Sequence, residues 1–294
     1  AWMMALGLIY YLYDDYHYPA FGRGKTFSLD WILPILFRNI VCTWLICGFW
    51  DYILYFSPFS SKLDQFKFTK IYPSIKQFKH DSFWTTTASI FAGLIEVVLC
   101  YLWSNNYIKC DRNIMDAPIK NIILAITVTH WRIPHFWLIH RMMHPWKTTN
   151  IPDFGKILYK HVHSLHHKSY NPTSFSGTSM HPIESTLYYS ASLLCLPFAP
   201  HPSIALTCIV DCATGAWLGH DGFQWPGSGD YFHQLHHLHF DGNYGAMHVP
   251  IDKWLGTFIS CRDDLKKIWK DKSKTAGKEA NERVVGVHPS RKPK

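Results

Sequence analysis

The sequence predicts an all-α integral membrane protein: about four membrane-embedded helices or hairpin elements beneath a cytosolic, histidine-rich helical cap. Three observations predict it. Three segments stay apolar over the roughly 20 residues that a bilayer crossing needs. A fourth apolar stretch is interrupted by prolines. The 19 histidines of the 294-residue chain crowd into short polar segments beside these stretches. Hydrophobic residues make up 48% of the chain, aromatics 16% and charged residues only 17%.

Residues 1–28 are aromatic-rich and mixed in polarity, and read as an interfacial segment. The first span is expected at 39–59 (NIVCTWLICGFWDYILYFSPF) and the second at 82–103 (SFWTTTASIFAGLIEVVLCYLW). The third is expected at 119–140 (IKNIILAITVTHWRIPHFWLIH), turning polar toward its C-terminus. Trp and Tyr gather near the ends of all three, as at membrane interfaces. The fourth stretch, 185–219, is broken by PFAPHPS, and each half is short for a full crossing. Proline inside an apolar run favours two helices joined by a bend. A helical hairpin, re-entrant in depth, therefore returns the chain to the side it left. The tail, 271–294, is rich in Lys, Glu, Gly and Pro and reads as flexible. The chain divides into 1–118, with the interfacial segment and two spans, a catalytic domain at 119–270, and the basic tail.

Orientation follows from the loops. Segment 60–81 carries Lys62, Lys67, Lys70, Lys76 and Lys79 against two acids. The positive-inside rule places it in the cytosol. The second span then leaves, the third returns, and every histidine cluster faces that compartment. The net charge of +8 admits nucleic acid, anionic lipid or an acidic partner. No nucleic-acid motif is present, and the apolar spans favour lipid. The eight cysteines form no CxxC pair. Most lie in apolar runs, where thiols act as small buried hydrophobes.

Three histidine boxes carry the chemistry: HRMMH at 140–144, HSLHH at 163–167 and HQLHH at 233–237. On a helix, residues i and i+4 share a face, so His140 and His144 can grip one ion. Within H-x-x-H-H the adjacent pair diverges by about 100°. His163, His166 and His167 can therefore address two ions, and His233, His236 and His237 repeat the device. Eight imidazoles exceed what one ion takes, and no cysteine stands near them as in a structural zinc site. Two ions with several histidines each fit better; imidazole suits Zn, Cu, Fe and Ni alike. His181 in MHPIE and His220 in GHDG flank the hairpin and can raise the count to ten. Glu184 and Asp221 beside them can orient ligand imidazoles. Asn243, in GNYG, is expected in a turn that holds the last box. His130 and His135 read as helix-facing groups rather than ligands. Asp51 and Glu96 lie inside apolar spans, where ionisable groups face a protein interior or cavity.

Taken together, HRMMH, HSLHH, HPIE, GHDG, HQLHH and HFDGNYGAMHVPIDKWLGTF resemble the fatty acid hydroxylase/sterol desaturase superfamily over about 120–262. The ending HH…NYG…PIDKWLGTF is nearest to the sterol desaturases. Where 2-hydroxylases of this superfamily carry a further histidine, four residues before His220, this chain has Ala216, so the resemblance leaves His181 as the expected tenth ligand. It implies a di-iron centre, O2 as co-substrate and a separate cytochrome b5/reductase-type electron donor. It implies a sterol or other lipid as substrate in the endoplasmic reticulum membrane. A fatty-acyl or alkyl-lipid hydroxylase is the alternative within the class. A structural subunit of a larger membrane assembly, or a zinc-dependent hydrolase using Glu184 or Asp221, is the alternative outside it.

Overall fold

The computed structural model describes residues 22–67, 71–147, 151–225 and 230–259. The expectations for residues 1–21 and for the tail 271–294 lie outside the described residues. The described part is helical, and its one β feature is an isolated antiparallel bridge between Lys67 and Phe223. Three helices are long and apolar enough to cross a membrane. Helix α1 runs Leu29–Asp51 and continues through a π-helical turn to Phe56; α2 is Ile75–Ser104 and α3 is Pro118–Met142. Phe37, Phe49, Ile119, Ile122 and Ile126 stand exposed on their outer faces. An apolar belt of this kind marks a surface made for lipid.

The first span starts ten residues earlier than expected. Asp30, Pro34 and Arg38 interrupt the apolar run, yet the helix passes through them. Pro34 lies inside the helix, past its first turn, where it removes one i→i−4 donor, and the helix continues beyond it. Arg38 forms an ion pair with Glu96 of α2, and Asn39 also donates to Glu96 at 3.1 Å. The charge that argues against a span is thus neutralised by a residue 58 positions away. The same two helices approach closely: a Cβ on Gly93 would lie 2.8 Å from Leu36 Cδ2. Ser89 Oγ meets Thr43 Oγ1 at 3.0 Å. Small residues and hydroxyl contacts are how helices associate where no hydrophobic drive separates protein from solvent.

The fourth stretch is a hairpin with unlike arms. Its first arm is α5, Pro182–Tyr189, prolonged by a 3-10 helix, Ser190–Phe198. Its second arm is α6, Pro202–Leu218. Eight α-helical and nine 3-10 residues rise about 30 Å together, because a 3-10 helix gains about 2.0 Å per residue. The arm judged too short by residue count thus reaches the far end of the bundle. There Lys120 Nζ donates to the Ala199 carbonyl at 2.9 Å, and the His201 amide donates to Asn121 Oδ1 at 3.0 Å. Ala199 turns the corner in the left-handed region, at φ 48°. Arg132 of α3 pairs with Asp211 of α6 at 2.5 Å, inside the bundle.

At the opposite end lies the cap, built from α4 (Phe154–His161), a 3-10 segment (His163–Lys168), α7 (Asp230–His239) and the connecting loops. The spans hold these loops through buried polar groups. Asp81 of α2 accepts from the hydroxyls of Ser169, Ser176 and Ser179. Asp51 of α1 accepts from the Ser174 amide at 2.9 Å. Asp51 and Glu96 are therefore both partnered between segments. Lys67 lies against the rings of Tyr55, Tyr72 and Phe223. Burial lowers its amine to about 8, with the nearby Asp221 and Asp51 carboxylates opposing the shift. The lysine-rich loop is thereby docked on residues 221–225, where the Gln224 amide donates to the Phe66 carbonyl.

Candidate metal centre

Helix α3 delivers the first box. His140 lies in its last turn, and His144 follows one residue after its end-capping Met143. The second box lies on the 3-10 segment rather than on an α-helix. The adjacent His166 and His167 still diverge, so this one segment serves two groups. The third box lies on α7, where His233 and His237 share a face and His236 points elsewhere. His220 follows the end of α6.

The outcome is two sets of imidazoles. His140, His144, His163, His167 and His236 form one; His166, His220, His233 and His237 form the other. Within each set, one nitrogen from every ring lies within 4.8 Å of all the others. Neither set contains a carboxylate or a thiol.

Main-chain carbonyls aim these rings. His140 Nδ1 donates to the Tyr244 carbonyl, His236 Nδ1 to the Gly242 carbonyl and His220 Nδ1 to the Ala216 carbonyl, each at 2.7 Å. A carbonyl only accepts, so in each neutral ring the proton sits on Nδ1 and Nε2 carries a bare lone pair. Those lone pairs face other Nε2 atoms. His140 Nε2 is 3.0 Å from His163 Nε2, and His236 Nε2 is 3.3 Å from His167 Nε2. His220 Nε2 is 3.1 Å from both His166 and His237 Nε2. Burial first, and neighbouring imidazoles second, hold these groups neutral. His144 is pushed down to about 2, and His163, His167, His236 and His237 fall well below the ordinary histidine value. Burial likewise takes His220 to about 4, its bond to the Ala216 carbonyl opposing the shift.

Both ring nitrogens of His144 and the Nε2 of His233 are buried without a hydrogen-bond partner among the described residues. Such orphaned atoms are rare in native proteins and call for an explanation. A cation at the centre of each set would take one His144 nitrogen and the His233 Nε2, converting mutual repulsion of lone pairs into ligation. The residues therefore fit a metal ion in each set. Five converging imidazoles exceed the four ligands of a tetrahedral zinc site.

Of the ten histidines expected as ligands, nine enter the two sets. His181 does not. It caps α5, its Nδ1 accepting from the Ile183 amide at 3.2 Å, and its ring lies beside Trp84. The missing histidine at Ala216 is thus not replaced from there; that position contributes its carbonyl instead. Glu184 does meet an imidazole: its Oε1 lies 2.7 Å from His163 Nδ1. Asp221 accepts from the indoles of Trp50 at 3.0 Å and Trp225 at 2.7 Å, and so anchors the loop after His220 to α1. Asn243 is likewise structural. At φ 55° it bonds Phe232 and Ile259, leaving the flanking Gly242 and Tyr244 carbonyls to aim His236 and His140.

Asp252 was not singled out by the sequence reading. It accepts from the Tyr244 and Gly245 amides, each at 2.9 Å, from Trp137 Nε1 and from Thr257 Oγ1. It explains the PIDKW run, whose aspartate locks GNYG in place.

A cavity of about 550 Å³ adjoins both sets, with His140, His163, His166, His220 and His233 on its wall. Phe136, Met180, Tyr188 and Leu218 give it an apolar lining, and Arg132 and Glu184 also face it. Its size lies within the range of small-molecule pockets.

Residues 124–257 match the family model described as Fatty acid hydroxylase. The chain carries a fatty acid hydroxylase domain. All nine clustered histidines lie within this domain, whereas α1 and α2 lie before it. Lathosterol oxidase of Homo sapiens is 25% identical over 85% of the chain and 82% of its own length. A Delta(7)-sterol 5(6)-desaturase of Leptosphaeria maculans is 31% identical, over 45% of the chain and 35% of its own length. Sphinganine C4-monooxygenase 2 of Arabidopsis thaliana is 28% identical over 47% of the chain and 53% of its own length. No solved structure matches the chain significantly.

Proposed function

We propose that this protein is a membrane-bound lipid oxidase, that its two imidazole sets hold iron, and that its reaction is sterol desaturation with O2 and externally supplied electrons. The observation that carries this reading is the pair of carbonyl-aimed, all-imidazole sets at the head of an apolar cavity in a membrane-embedded bundle. Two irons bound there would activate O2, the oxidant, for attack on an unactivated C–H bond.

The chain's own share is placement. His140, His144, His163, His167 and His236 hold one ion; His166, His220, His233 and His237 hold the other. The carbonyls of Tyr244, Gly242 and Ala216, with Glu184, fix the rings in ligating orientation. Phe136, Tyr188 and Leu218 exclude water and position the lipid's reacting carbon beside both sets. The cap faces the cytosol of the endoplasmic reticulum membrane, and a cytochrome b5/reductase-type donor delivers electrons there. The lysine-rich loop docked on the cap supports that orientation. The catalytic domain extends over 119–270, with the first two spans as its supporting wall.

Hydroxylation of a lipid is the second reading, favoured by the likeness to sphinganine C4-monooxygenase 2. The deciding experiment pairs elemental analysis of gently purified protein with lipid profiles of cells with and without the gene. Two irons per chain are expected. Loss of the gene accumulates a sterol two hydrogens heavier than its product if the reaction is desaturation. It accumulates a lipid one oxygen lighter if the reaction is hydroxylation. Zinc without iron overturns the oxidase reading.

A further inference from the structure

Arg132 of α3 leaves most of its donors unused. Its Nε–H donates to Asp211 Oδ2 at 2.5 Å, and among the described residues Nη1 and Nη2 meet no acceptor. Both terminal nitrogens keep accessible surface, and the side chain as a whole is 13% exposed. A charged group within an apolar bundle is costly and marks a candidate for function. Asp211 offsets the charge, but a fork of four N–H groups stays open.

The fork lies on the cavity wall. Arg132 and Gly215 both line the cavity, and a Cβ on Gly215 would stand 3.0 Å from Nη2 and 3.3 Å from Nη1. The bare backbone of Gly215 thus leaves the guanidinium its room. Gly215 is in the last turn of α6, shortly before His220 of the second imidazole set. Leu218 and Met247, 46% and 49% exposed, line the same wall, so the cavity opens beside them. The exposed His248 lines it too, and burial first and the Arg132 charge second lower its basicity. The fork therefore stands near the mouth. A guanidinium only donates. A hydroxyl set against it would accept, yet leave its own hydrogen facing Phe136 and Leu218. A carbonyl oxygen has two lone pairs and no hydrogen, so it takes two N–H donors at once. Because Asp211 already balances the guanidinium, that oxygen need carry no full charge.

We propose that Nη1 and Nη2 of Arg132 bind a carbonyl oxygen of the lipid substrate. The carbonyl rests near the cavity mouth, and the carbons beyond it extend toward the two imidazole sets. The enzyme thereby selects an oxo- or acyl-bearing lipid. This rests on the lipid-oxidase reading above and deepens it. Arg132 touches the substrate, and Asp211 is a positioning residue that fixes the guanidinium through Nε.

The test is equilibrium binding of two tritiated lipids, cholestanone and methyl octadecanoate, to the metal-loaded protein in detergent. Each is competed by its unlabelled self and by its parent hydrocarbon, cholestane or octadecane. In at least one pair the carbonyl lipid is expected to compete at least about tenfold better, the scale of a hydrogen bond to a charged group. The pair that shows it tells an oxosteroid from an acyl lipid. In Arg132→Met/Asp211→Met, which removes both charges and strands neither, that preference collapses toward one. In Arg132→Lys, which keeps a cation for Asp211 but presents no fork, it falls several-fold. Metal content is read on every variant. Equal competition within both pairs in the unaltered protein overturns the proposal. Unchanged preference in both variants overturns it too, because the carbonyl is then held elsewhere. Preference lost only where metal is also lost assigns the ion pair to the fold and overturns it as well. So does the absence of competable binding by either lipid. The lipid-oxidase reading is judged separately, by iron content and by the lipid profiles of cells lacking the gene.

Discussion

At the scale of single residues, the two imidazole sets make separable demands. His236→Ala removes a ligand from the first set and His166→Ala one from the second. Each is expected to lower metal content by about one ion per chain and to abolish lipid oxidation, which elemental analysis and product assay check. A glycine tests the carbonyl that aims His220. A Cβ at Gly177 would lie 2.2 Å from the Ala216 carbonyl oxygen, with no flexible side chain to yield. Gly177→Ala is expected to destabilise the protein by about 2 kcal/mol or more and to deplete the second set, read by thermal unfolding and metal content. Box spacing made the histidines legible as candidates, because periodicity says which rings can share a face. The groups that aim them were not legible: Tyr244, Gly242 and Ala216 act through their carbonyls, which every residue type possesses. Adjacency to a ligand in sequence says nothing of which way a carboxylate turns; Asp221 accepts from the indoles of Trp50 and Trp225.

At the scale of elements, α1 and α2 are zipped by a charge pair in which Glu96 is buried and Arg38 partly exposed. Arg38→Met leaves Glu96 without its cation and is expected to cost about 3–5 kcal/mol. The double change Arg38→Met/Glu96→Met should recover most of that loss. Unfolding in matched detergent decides it. The three spans were legible as elements, because a bilayer demands an uninterrupted apolar length. The first turns of α1 were not, since a local window counts Asp30, Pro34 and Arg38 against a span and cannot see Glu96. The reach of the hairpin was hidden similarly. Residue count underestimates an arm whose second half is a 3-10 helix, and no residue type signals that change of rise.

At the scale of the whole molecule, the imidazole sets couple stability to pH. In the folded apo protein these groups sit below the ordinary histidine value of about 6.5, with His220 at about 4 and His144 at about 2. Above pH 6.5 neither folded nor unfolded chain binds protons there. As pH falls below 6.5 the unfolded chain takes up protons that the folded one refuses, so stability drops. The decline continues as far as His220 down to about pH 4, and for His144 to about pH 2. Melting of the apo protein across pH 8 to 4 should show a flat upper limb and a falling lower one. Topology gives a second whole-molecule expectation. In sealed microsomes a cysteine introduced at Lys62 should react with an impermeant maleimide added outside, and one at Asn106 should not.

The family match begins at residue 124, but the cap is not held by that stretch alone. Asp81 gathers Ser169, Ser176 and Ser179, Asp51 takes the Ser174 amide, and Tyr55 Oη donates to the Pro172 and Asp221 carbonyls. The loop after the second box is thus stitched to helices that the match omits. Excising 124–257 as a stand-alone fragment would strand those hydroxyls and amides without acceptors. The smallest autonomous unit accordingly starts at α1, and swapping that helix for a generic membrane anchor should cost the enzyme its metals rather than merely its address.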